Sequence, residues 1–258
     1  MLTLGSLRTG ITLVTGTDTD VGKSVATAVL ASWLKCQGQG VMVCKPTQTG
    51  LAPGEPGDLA QVRRLARIPG DRLVEFSRLP EPLAPATAAR RAGIVLPGVD
   101  ELADRLVALS QDCDALLVEG AGGLLVGLDS QGRTIIDLAD ELTLRGHPPH
   151  VVLVIRAGLG TLNHTALSLA ALAARGFDEA GLVIGSWPRH PGLAERCNAE
   201  ELPAMAPVLA TLPAGIGDDP AAVERSAAQL QPGRQNPAAT GPGTAGTKAS
   251  VNGLQGAR

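Results

Sequence analysis

The sequence contains no tyrosine and only two tryptophans and two phenylalanines, so aromatic side chains make up 2% of its 258 residues. Hydrophobic residues nevertheless account for 44% of the chain, which is normal for a globular protein. The core must therefore be built from leucine, valine, isoleucine and alanine. A chain of this length can bury the core of one α/β domain, or at most two, and we expect one.

Net positive charge and long apolar runs are also absent. The formal net charge of −3 at pH 7 argues against a general polyanion binder such as a nucleic-acid-coating protein. The sequence contains no run of 18 apolar residues, the length that would indicate a membrane-spanning helix. Its first residues lack the basic and apolar regions of a signal peptide. These absences predict a cytoplasmic protein with no membrane or nucleic-acid partner.

Cysteine pairs are missing as well. The four cysteines, Cys36, Cys44, Cys113 and Cys197, are far apart and form no C-x-x-C motif. This spacing predicts neither a zinc site nor a disulfide framework. We expect buried or chemically idle thiols.

The most informative stretch that is present is residues 16–24, which read GTDTDVGKS and follow the apolar run 11–14. A strand, a glycine-containing turn and a helix in this order direct backbone N–H groups and the positive end of the helix at one point, which suits phosphate. Lys23 is expected to neutralise the β- and γ-phosphates of a nucleotide, and Ser24 to ligate Mg²⁺. The pattern G-x-x-x-x-G-K-[ST] is missed by one position, since Thr17 stands where its first glycine would fall. The stretch is a variant phosphate-binding loop, and the alternative is a helix start without a ligand.

Two further apolar runs end in charged residues. Residues 41–44 precede Lys45, and residues 115–118 precede Glu119. In open α/β sheets ligands bind outside the carboxyl ends of the strands, so both residues are candidates for the site. Lys45 is either placed for chemistry or a solvated turn lysine. Glu119 is expected to face Mg²⁺, the alternative being an ordinary strand-end residue, and the glycines after it allow close approach of the backbone to a ligand.

Two more segments have a structural and a functional interpretation. Asp58 opens the predicted helix 59–66, either as its N-cap or as a carboxylate beside the metal. Residues 158–164 lead into another helix whose exposed N–H groups suit a carboxylate, with Thr161 or Asn163 as the cap. His164 is expected to be a hydrogen-bonded helix residue rather than a base, because no partner carboxylate is visible nearby.

Hydrophobic patterning predicts strands that alternate with helices. The predicted strands are 11–14, 41–44, 115–118, 151–155, 182–184 and 208–212. The predicted helices are 24–37, 59–66, 100–111, 134–145, one ending near Arg175, and 221–230. Within residues 76–92, the prolines of the stretch 81–85 (EPLAP) predict a loop without regular structure. The alternation predicts an α/β fold, a single P-loop NTPase-like domain over residues 1–230, with a mostly parallel sheet covered by helices on both faces. The Gly/Pro/Ala-rich composition of residues 231–258 predicts a disordered tail.

Four motifs together resemble the dethiobiotin synthetase family. They are residues 16–24, the pattern Lys45-Pro46-x-x-Thr49-Gly50, residues 118–123 (VEGAGG) and residues 160–164 (GTLNH). Their order and spacing match over roughly residues 10–215. Residues 181–188 (GLVIGSWP) resemble actinobacterial members in particular.

The resemblance implies a ligase of biotin biosynthesis that closes a cyclic urea on 7,8-diaminopelargonic acid, using CO₂, ATP and Mg²⁺. One substrate amine and CO₂ form a carbamate, which ATP phosphorylates. The second amine then attacks this mixed anhydride and phosphate leaves. A carbamate and a triphosphate repel each other, so two lysines and a Mg²⁺ around one point suit the transition state.

The resemblance also implies roles for individual residues. The catalytic residues are Lys45 and Lys23, the latter contacting both phosphate and carbamate. The metal ligands are Ser24, Asp58 and Glu119. The diamine-binding residues are Thr19 and Thr49. In the family, the substrate carboxylate is held by the partner subunit of a homodimer, at the segment that matches Gly160, Thr161, Leu162 and Asn163. The nucleotide-binding residues are Asp20, Val21, Gly22, Lys23, Ser24, Val25, Asp58, Glu119, Gly120, Ala121, Gly122, Gly185, Ser186, Pro213, Ala214 and Gly215.

Two departures from the family bear on nucleotide choice and charge. Many members recognise adenine with an asparagine that aligns with Gly185, and some have a lysine that aligns with Gly158. Base selectivity is therefore open, and other nucleoside triphosphates are possible substrates. The base pocket is expected to rest on the backbone of residues 185–186 and 213–215.

Two other kinds of protein compete with this interpretation. A P-loop positioning or partitioning ATPase typically carries an extra lysine near the start of the loop, where this chain has Thr17 and Asp18. An amide-forming ligase of the cobyrinic acid type needs a glutamine-hydrolysing Cys-His site, and no cysteine here has a nucleophile setting.

Overall fold

Strands and helices alternate along the chain in the computed structural model, which describes residues 1–230; the tail predicted over residues 231–258 lies outside the described residues. The strands are β1 (Gly10–Gly16), β2 (Val41–Thr49), β3 (Leu73–Leu79), β4 (Ala115–Glu119), β5 (His150–Ile155), β6 (Ala180–Trp187) and β7 (Val208–Pro213). The α-helices are α1 (Lys23–Cys36), α2 (Asp58–Ala66), α3 (Pro85–Ala92), α4 (Val99–Ser110), α5 (Ile135–Leu144), α6 (Thr161–Ala173), α7 (Leu193–Met205) and α8 (Pro220–Gln229). Short 3₁₀ helices cover Leu4–Arg8, Gly70–Arg72 and Ile216–Asp218.

The strands form one sheet in the order β3-β2-β4-β1-β5-β6-β7, and each pair of neighbours is parallel. This confirms the predicted α/β fold. After β1 the chain builds one side of the sheet with β2, β3 and β4, and then crosses to the other side with β5. Ligands bind outside the carboxyl ends of strands at such a reversal, here beside β4, β1 and β5.

Aliphatic side chains fill the core on both faces of the sheet. One cluster packs α1, α2 and α8 against the sheet, and another packs α4 and α5 against the opposite face. Trp33 of α1, which is 1% exposed, is the largest side chain among the fully buried ones. The expected leucine, valine and alanine core is present. No helix within residues 1–230 has both the length and the apolar character needed to cross a membrane.

The cysteines are unpaired in the part of the chain that the structure describes. Cys36 and Cys197 are exposed, Cys113 is half-buried and Cys44 is buried. Burial raises the pKa of the Cys44 thiol. This thiol is therefore in its protonated, unreactive form at neutral pH.

The predicted loop over residues 81–85 is confirmed for its first four residues, but the strand and the helix on either side of it were not predicted. β3 precedes the loop, and α3 begins at its last residue. Pro85 is the first residue of α3, where a missing N–H breaks no helical hydrogen bond, so the proline starts a helix instead of preventing one. β3 is an edge strand whose residues are mostly half-buried, so its apolar pattern is weak. Helix α7 and the 3₁₀ helix Leu4–Arg8 were also not predicted.

Substitutions at Trp33 test the packing of the core. We expect Trp33→Ala to lower the free energy of unfolding by about 3–5 kcal/mol because it opens a large cavity. The indole Nε1 is buried and has no acceptor among the described residues, so Trp33→Phe loses volume but no hydrogen bond and should cost less than half as much. Urea denaturation of the two variants gives both values. Equal losses for phenylalanine and alanine would contradict this account of the site.

Candidate functional site

The phosphate-binding loop connects β1 to α1 through two residues with positive φ. Asp20 has φ 56° and Gly22, the N-cap of α1, has φ 96°. The carbonyl oxygen of Asp18 accepts a hydrogen bond from Lys23 Nζ at 2.8 Å, which holds the lysine side chain over the loop. The N–H groups of the first turn of α1 are therefore open toward the space above Lys23 and Ser24.

A buried charge cluster lies next to this loop. Lys45 Nζ lies 2.5 Å from Asp58 Oδ2 and 2.9 Å from Glu119 Oε1. It also donates to the carbonyl oxygen of Gly120 at 3.0 Å, and Ser24 Oγ donates to Glu119 Oε1 at 2.8 Å. Lys45 is 3% exposed, so the alternative of a solvated turn lysine is wrong. Four separate elements meet at this cluster: β2, α2, β4 and α1.

Lys45 lies within β2 and not after it, because the strand continues to Thr49 beyond the predicted end at residue 44. β2 pairs with β4 only as far as Cys44 and with β3 to its end. The flank of β2 beyond Cys44 is therefore open toward the site. A proline has no N–H to donate to a neighbouring strand and is therefore rare in inner strands. Pro46 is tolerated in β2 because the pairing with β4 ends before it, so no backbone hydrogen bond to β4 is lost.

The two lysines differ in electrostatic environment. Burial lowers the pKa of Lys45, but the carboxylates of Glu119 and Asp58 outweigh it, and the pKa lies above the usual lysine value. Burial also lowers the pKa of Lys23; the neighbouring Lys45 lowers it further, and the carboxylates only partly offset these effects. Lys45 is thus fixed as an ammonium group by its partners, while Lys23 gains most from an arriving anion.

Asp58 is not the N-cap of α2. Gly57 is the N-cap, and no side-chain hydrogen bond caps the helix there. Asp58 is the first residue of the helix. The Asp58 carboxylate points to Lys45, and its backbone N–H donates to Gln48 Oε1 at 3.0 Å. Gln48 is buried and was not selected from the sequence, although it lies inside the Lys45 to Gly50 motif.

A cavity of about 400 Å³ opens between the loop and this cluster. Most of its lining residues were predicted from the sequence: Thr19, Asp20, Gly22, Lys23, Ser24, Val25, Lys45, Thr49, Asp58, Glu119, Ala121 and Gly122. Thr47, Gln48 and Gln61 also line it. Thr47 is one of the two hydroxyl residues that follow Lys45 in the sequence and that we expect at the site, on the same face of the strand as Lys45. Gln48 and Gln61 were missed.

Residues proposed for the base lie outside this cavity lining. Gly185 of β6 is buried under the phosphate-binding loop, and a Cβ atom built there would lie 1.9 Å from the carbonyl oxygen of Val21. Ser186 is exposed beside it, and the segment 213–215 is adjacent because Ala214 N–H donates to the Trp187 carbonyl at 2.7 Å. A side chain at residue 185 would displace the loop, so glycine is required there.

The segment 160–163 also lies outside the cavity. Gly160, with φ 87°, is the N-cap of α6, so the expectation that Thr161 or Asn163 caps this helix is wrong. His164 is a residue of α6, as predicted, and its backbone N–H donates to the Gly160 carbonyl at 3.0 Å, but its buried Nδ1 has no partner within residues 1–230. His164 lines a second groove of about 390 Å³, which also contains the exposed Leu125 and Leu167.

The parallel sheet, the glycine-containing loop and the lysine at the start of α1 define a P-loop NTPase-like α/β protein. Comparisons with known proteins agree. A family profile described as an AAA domain matches residues 11–216. The signal recognition particle receptor FtsY from Elizabethkingia anophelis, solved in complex with GDP, has a similar fold (TM-score 0.51, 16% identity, covering 86% of this chain and 65% of that one).

Sequence relatives are much closer. The ATP-dependent dethiobiotin synthetase BioD of Rhodococcus jostii is 54% identical over 209 residues, covering 80% of this chain and 87% of the relative. The proteins of the same name from Frankia casuarinae and Streptomyces coelicolor are 50% and 47% identical, covering 80% and 84% of this chain and 84% and 90% of theirs. The chain belongs to the dethiobiotin synthetase family, which confirms the resemblance inferred from the four motifs.

Removing the charge of Lys45 should destabilise the protein. Lys45→Met leaves the Glu119 carboxylate, whose side chain is 0% exposed, without its cation, and we expect a loss of about 3–5 kcal/mol in the free energy of unfolding. The double variant Lys45→Met/Glu119→Gln should recover part of this loss. Chemical denaturation of both variants measures it. If the second substitution adds to the loss instead, the pair is not the source of the stability.

Proposed function

We propose that the protein is a ligase that converts 7,8-diaminopelargonic acid and CO₂ to dethiobiotin, with conversion of ATP to ADP and phosphate. The observation that carries this proposal is the buried Lys45, paired with Glu119 and Asp58 beside the loop lysine Lys23. Two ammonium groups converge on one cavity, as a reaction between two anions requires. The relatives named dethiobiotin synthetase supply the substrate and product.

The proposed reaction begins with a carbamate formed from one amine of the diamine and CO₂. An oxygen of this carbamate attacks the γ-phosphorus of ATP, and ADP leaves. The second amine then attacks the carbonyl carbon of the mixed anhydride, the C–O bond to phosphate breaks, and a proton is lost from nitrogen as the cyclic urea closes. Lys45 and Lys23 offset the negative charges that approach one another in the phosphoryl transfer.

The side-chain hydroxyls at the cavity suit the neutral end of the substrate. Thr19 and Thr49 both line the cavity. In the sequence, Thr19 precedes Lys23 and Thr49 follows Lys45. A hydroxyl group accepts a hydrogen bond from an amine without adding charge. We assign these two threonines to the diamine, as the family resemblance implies.

The donor set near Lys45 fits Mg²⁺. Ser24, Asp58 and Glu119 present oxygen atoms, which this hard cation prefers. Glu119 Oε2 is buried and has no hydrogen-bond partner among the described residues, so one ligand atom is available without breaking a contact. When bound, Mg²⁺ would neutralise and orient the β- and γ-phosphate oxygens. The three side chains would hold it, and Lys45 would then share its two carboxylates with a second cation.

The active unit is proposed to be a homodimer. Gly160 and Asn163 are exposed at the start of α6, Leu162 is half-buried and Thr161 is buried, and none of the four lines the cavity of the same chain. Leu159 is 84% exposed, Leu125 66% and Leu167 63%, which is unusual for leucines near a ligand site. A second copy that covers them would carry its α6 N–H groups toward the substrate carboxylate. The cytoplasmic location predicted from the sequence remains a prediction.

The nucleotide base is proposed to contact backbone near residues 186 and 213–215, since Gly185 has no side chain to offer. This leaves room for nucleoside triphosphates other than ATP. The hypothesis follows from the position of Gly185 under the loop, where a side chain has no space.

Introducing the family asparagine should therefore weaken nucleotide binding and not improve it. Gly185→Asn forces the Val21 carbonyl aside, and we expect MgATP affinity to fall on the order of tenfold or more, because overpacking costs about 1–3 kcal/mol. Gly38→Asn is the control: it lies after the C-terminal end of α1, away from the loop, a Cβ atom there meets no other atom within 4 Å, and it should change affinity little. Calorimetry with MgATP and MgCTP measures both. Tighter binding of ATP by Gly185→Asn would contradict the proposed base contacts.

The test of the function itself is phosphate release with MgATP and bicarbonate, with and without 7,8-diaminopelargonic acid. We expect release only with the diamine, and a product of the mass of dethiobiotin. Omitting Mg²⁺ should abolish it, and Ser24→Ala should raise the Mg²⁺ concentration needed for half-maximal rate. Phosphate release that does not depend on the diamine would support a switch-type ATPase instead.

A further inference from the structure

The phosphate-binding loop is attached to β5 by an ion pair that the proposed reaction does not use. Arg156, the residue after the end of β5, donates from its NH2 group to Asp18 Oδ2 at 2.6 Å. Two residues earlier, the carbonyl oxygen of Val154 accepts from the N–H of Thr17 at 3.1 Å. The first half of the loop is thus held to β5 by one backbone and one side-chain contact.

Asp18 is bonded on three sides. Its Oδ1 accepts from the backbone N–H of Thr19 at 2.8 Å and from Thr19 Oγ1 at 3.3 Å. Its backbone carbonyl accepts from Lys23 Nζ. The backbone hydrogen bond from Thr19, and then the charge of Arg156, hold the pKa of the Asp18 carboxyl below its usual value. Asp18 is therefore a carboxylate at neutral pH. It lines the second groove together with His164 and Leu167, and its backbone carbonyl, not its carboxylate, contacts the Lys23 ammonium group that is proposed to bind phosphate.

A second carboxylate, Asp20, lines the cavity in the same loop, and Lys45 is already paired with Asp58 and Glu119. Lys23 is thus the one lysine of the cavity without a carboxylate partner within residues 1–230. An uncompensated charge on Asp18 would reduce its attraction for a triphosphate. Arg156 is the cation that compensates it, and its Nε is buried although the side chain as a whole is half-exposed.

We propose that Arg156 is a positioning residue for the nucleotide: by pairing with Asp18 it neutralises a carboxylate of the phosphate-binding loop, and through that residue it fixes Thr19 and Lys23, which line the cavity. The inference rests on the proposed function, because it takes the cavity to bind MgATP. The pair is half-exposed, with Arg156 at 42% and Asp18 at 49%, and such pairs contribute little to stability. Its effect should therefore appear in binding and not in folding.

A double-mutant cycle tests this, with MgATP binding measured by calorimetry in the absence of diamine and bicarbonate. Arg156→Gln leaves the Asp18 charge uncompensated, and we expect the Kd for MgATP to rise roughly fivefold to tenfold, as for a screened charge near a protein surface. Asp18→Asn keeps an acceptor for Thr19, and in the double variant it should return the Kd to within about twofold of wild type. Arg156→Lys, which keeps the charge, should bind nearly as wild type.

Salt provides a readout that a purely structural role would not move. The weakening caused by Arg156→Gln should shrink to less than about twofold at 0.5 M NaCl, since charges at this exposure are screened. The melting temperatures of the wild type, the single variants and the double variant should agree closely.

Three results would overturn the inference: wild-type affinity in Arg156→Gln, no recovery in the double variant, or a weakening that persists at high salt. If wild type itself bound no MgATP, the proposed function would fail together with this role. Normal binding by wild type with an unchanged Arg156→Gln variant would overturn the inference alone.

Discussion

The structure of the site depends on one buried ammonium group. Lys45 extends from β2 between a carboxylate at the end of β4 and another at the start of α2, and Ser24 of α1 contacts the first of these. A buried charge without partners is strongly unfavourable, so none of these elements can move independently of the others. The same four side chains are the ones proposed to meet Mg²⁺ and the reacting anions. Folding therefore assembles the site in advance, and the ion pairs that stabilise it are those that a ligand must rearrange.

A second constraint is the close packing of the phosphate-binding loop on its neighbours. Gly185 of β6 leaves space for the Val21 carbonyl, and the Val154 carbonyl of β5 binds the N–H of Thr17. The loop thus contacts β5 and β6, the two strands on one side of β1. Lys45 and Glu119 lie on β2 and β4, on the other side. The residues proposed for the nucleotide base and the cluster around Lys45 therefore lie on opposite sides of β1.

Much of the fold and of the candidate site could be predicted from the sequence, because both depend on local patterns. Apolar runs revealed six of the seven strands, and Lys23, Lys45 and Glu119 follow or begin elements that periodicity identifies. The edge strand β3 was missed because its pattern is weak and Pro85 suggested a loop. Gln48, the pairing of Arg156 with Asp18 and the reason for glycine at residue 185 could not be predicted, since each depends on contacts between residues distant in sequence. The start of α2 shows the same limit. A local rule offered Asp58 as the N-cap, but its carboxylate pairs with the buried Lys45 of β2, and Gly57 is the N-cap.

The balance of charge around the cavity gives these contacts a common physical meaning. Two cations, Lys23 and Lys45, and three carboxylates, Asp20, Asp58 and Glu119, line the cavity. The pair of Arg156 with Asp18 lies outside the lining, in and next to the phosphate-binding loop. Such a set does not attract a triphosphate by net charge alone. Attraction arises because the charges are paired unequally: Arg156 binds Asp18, Lys45 binds two carboxylates, and Lys23 is bonded to a backbone carbonyl. A divalent cation at Asp58 and Glu119 would reverse the sign of the site, and nucleotide binding is therefore expected to require the metal and not merely to be improved by it.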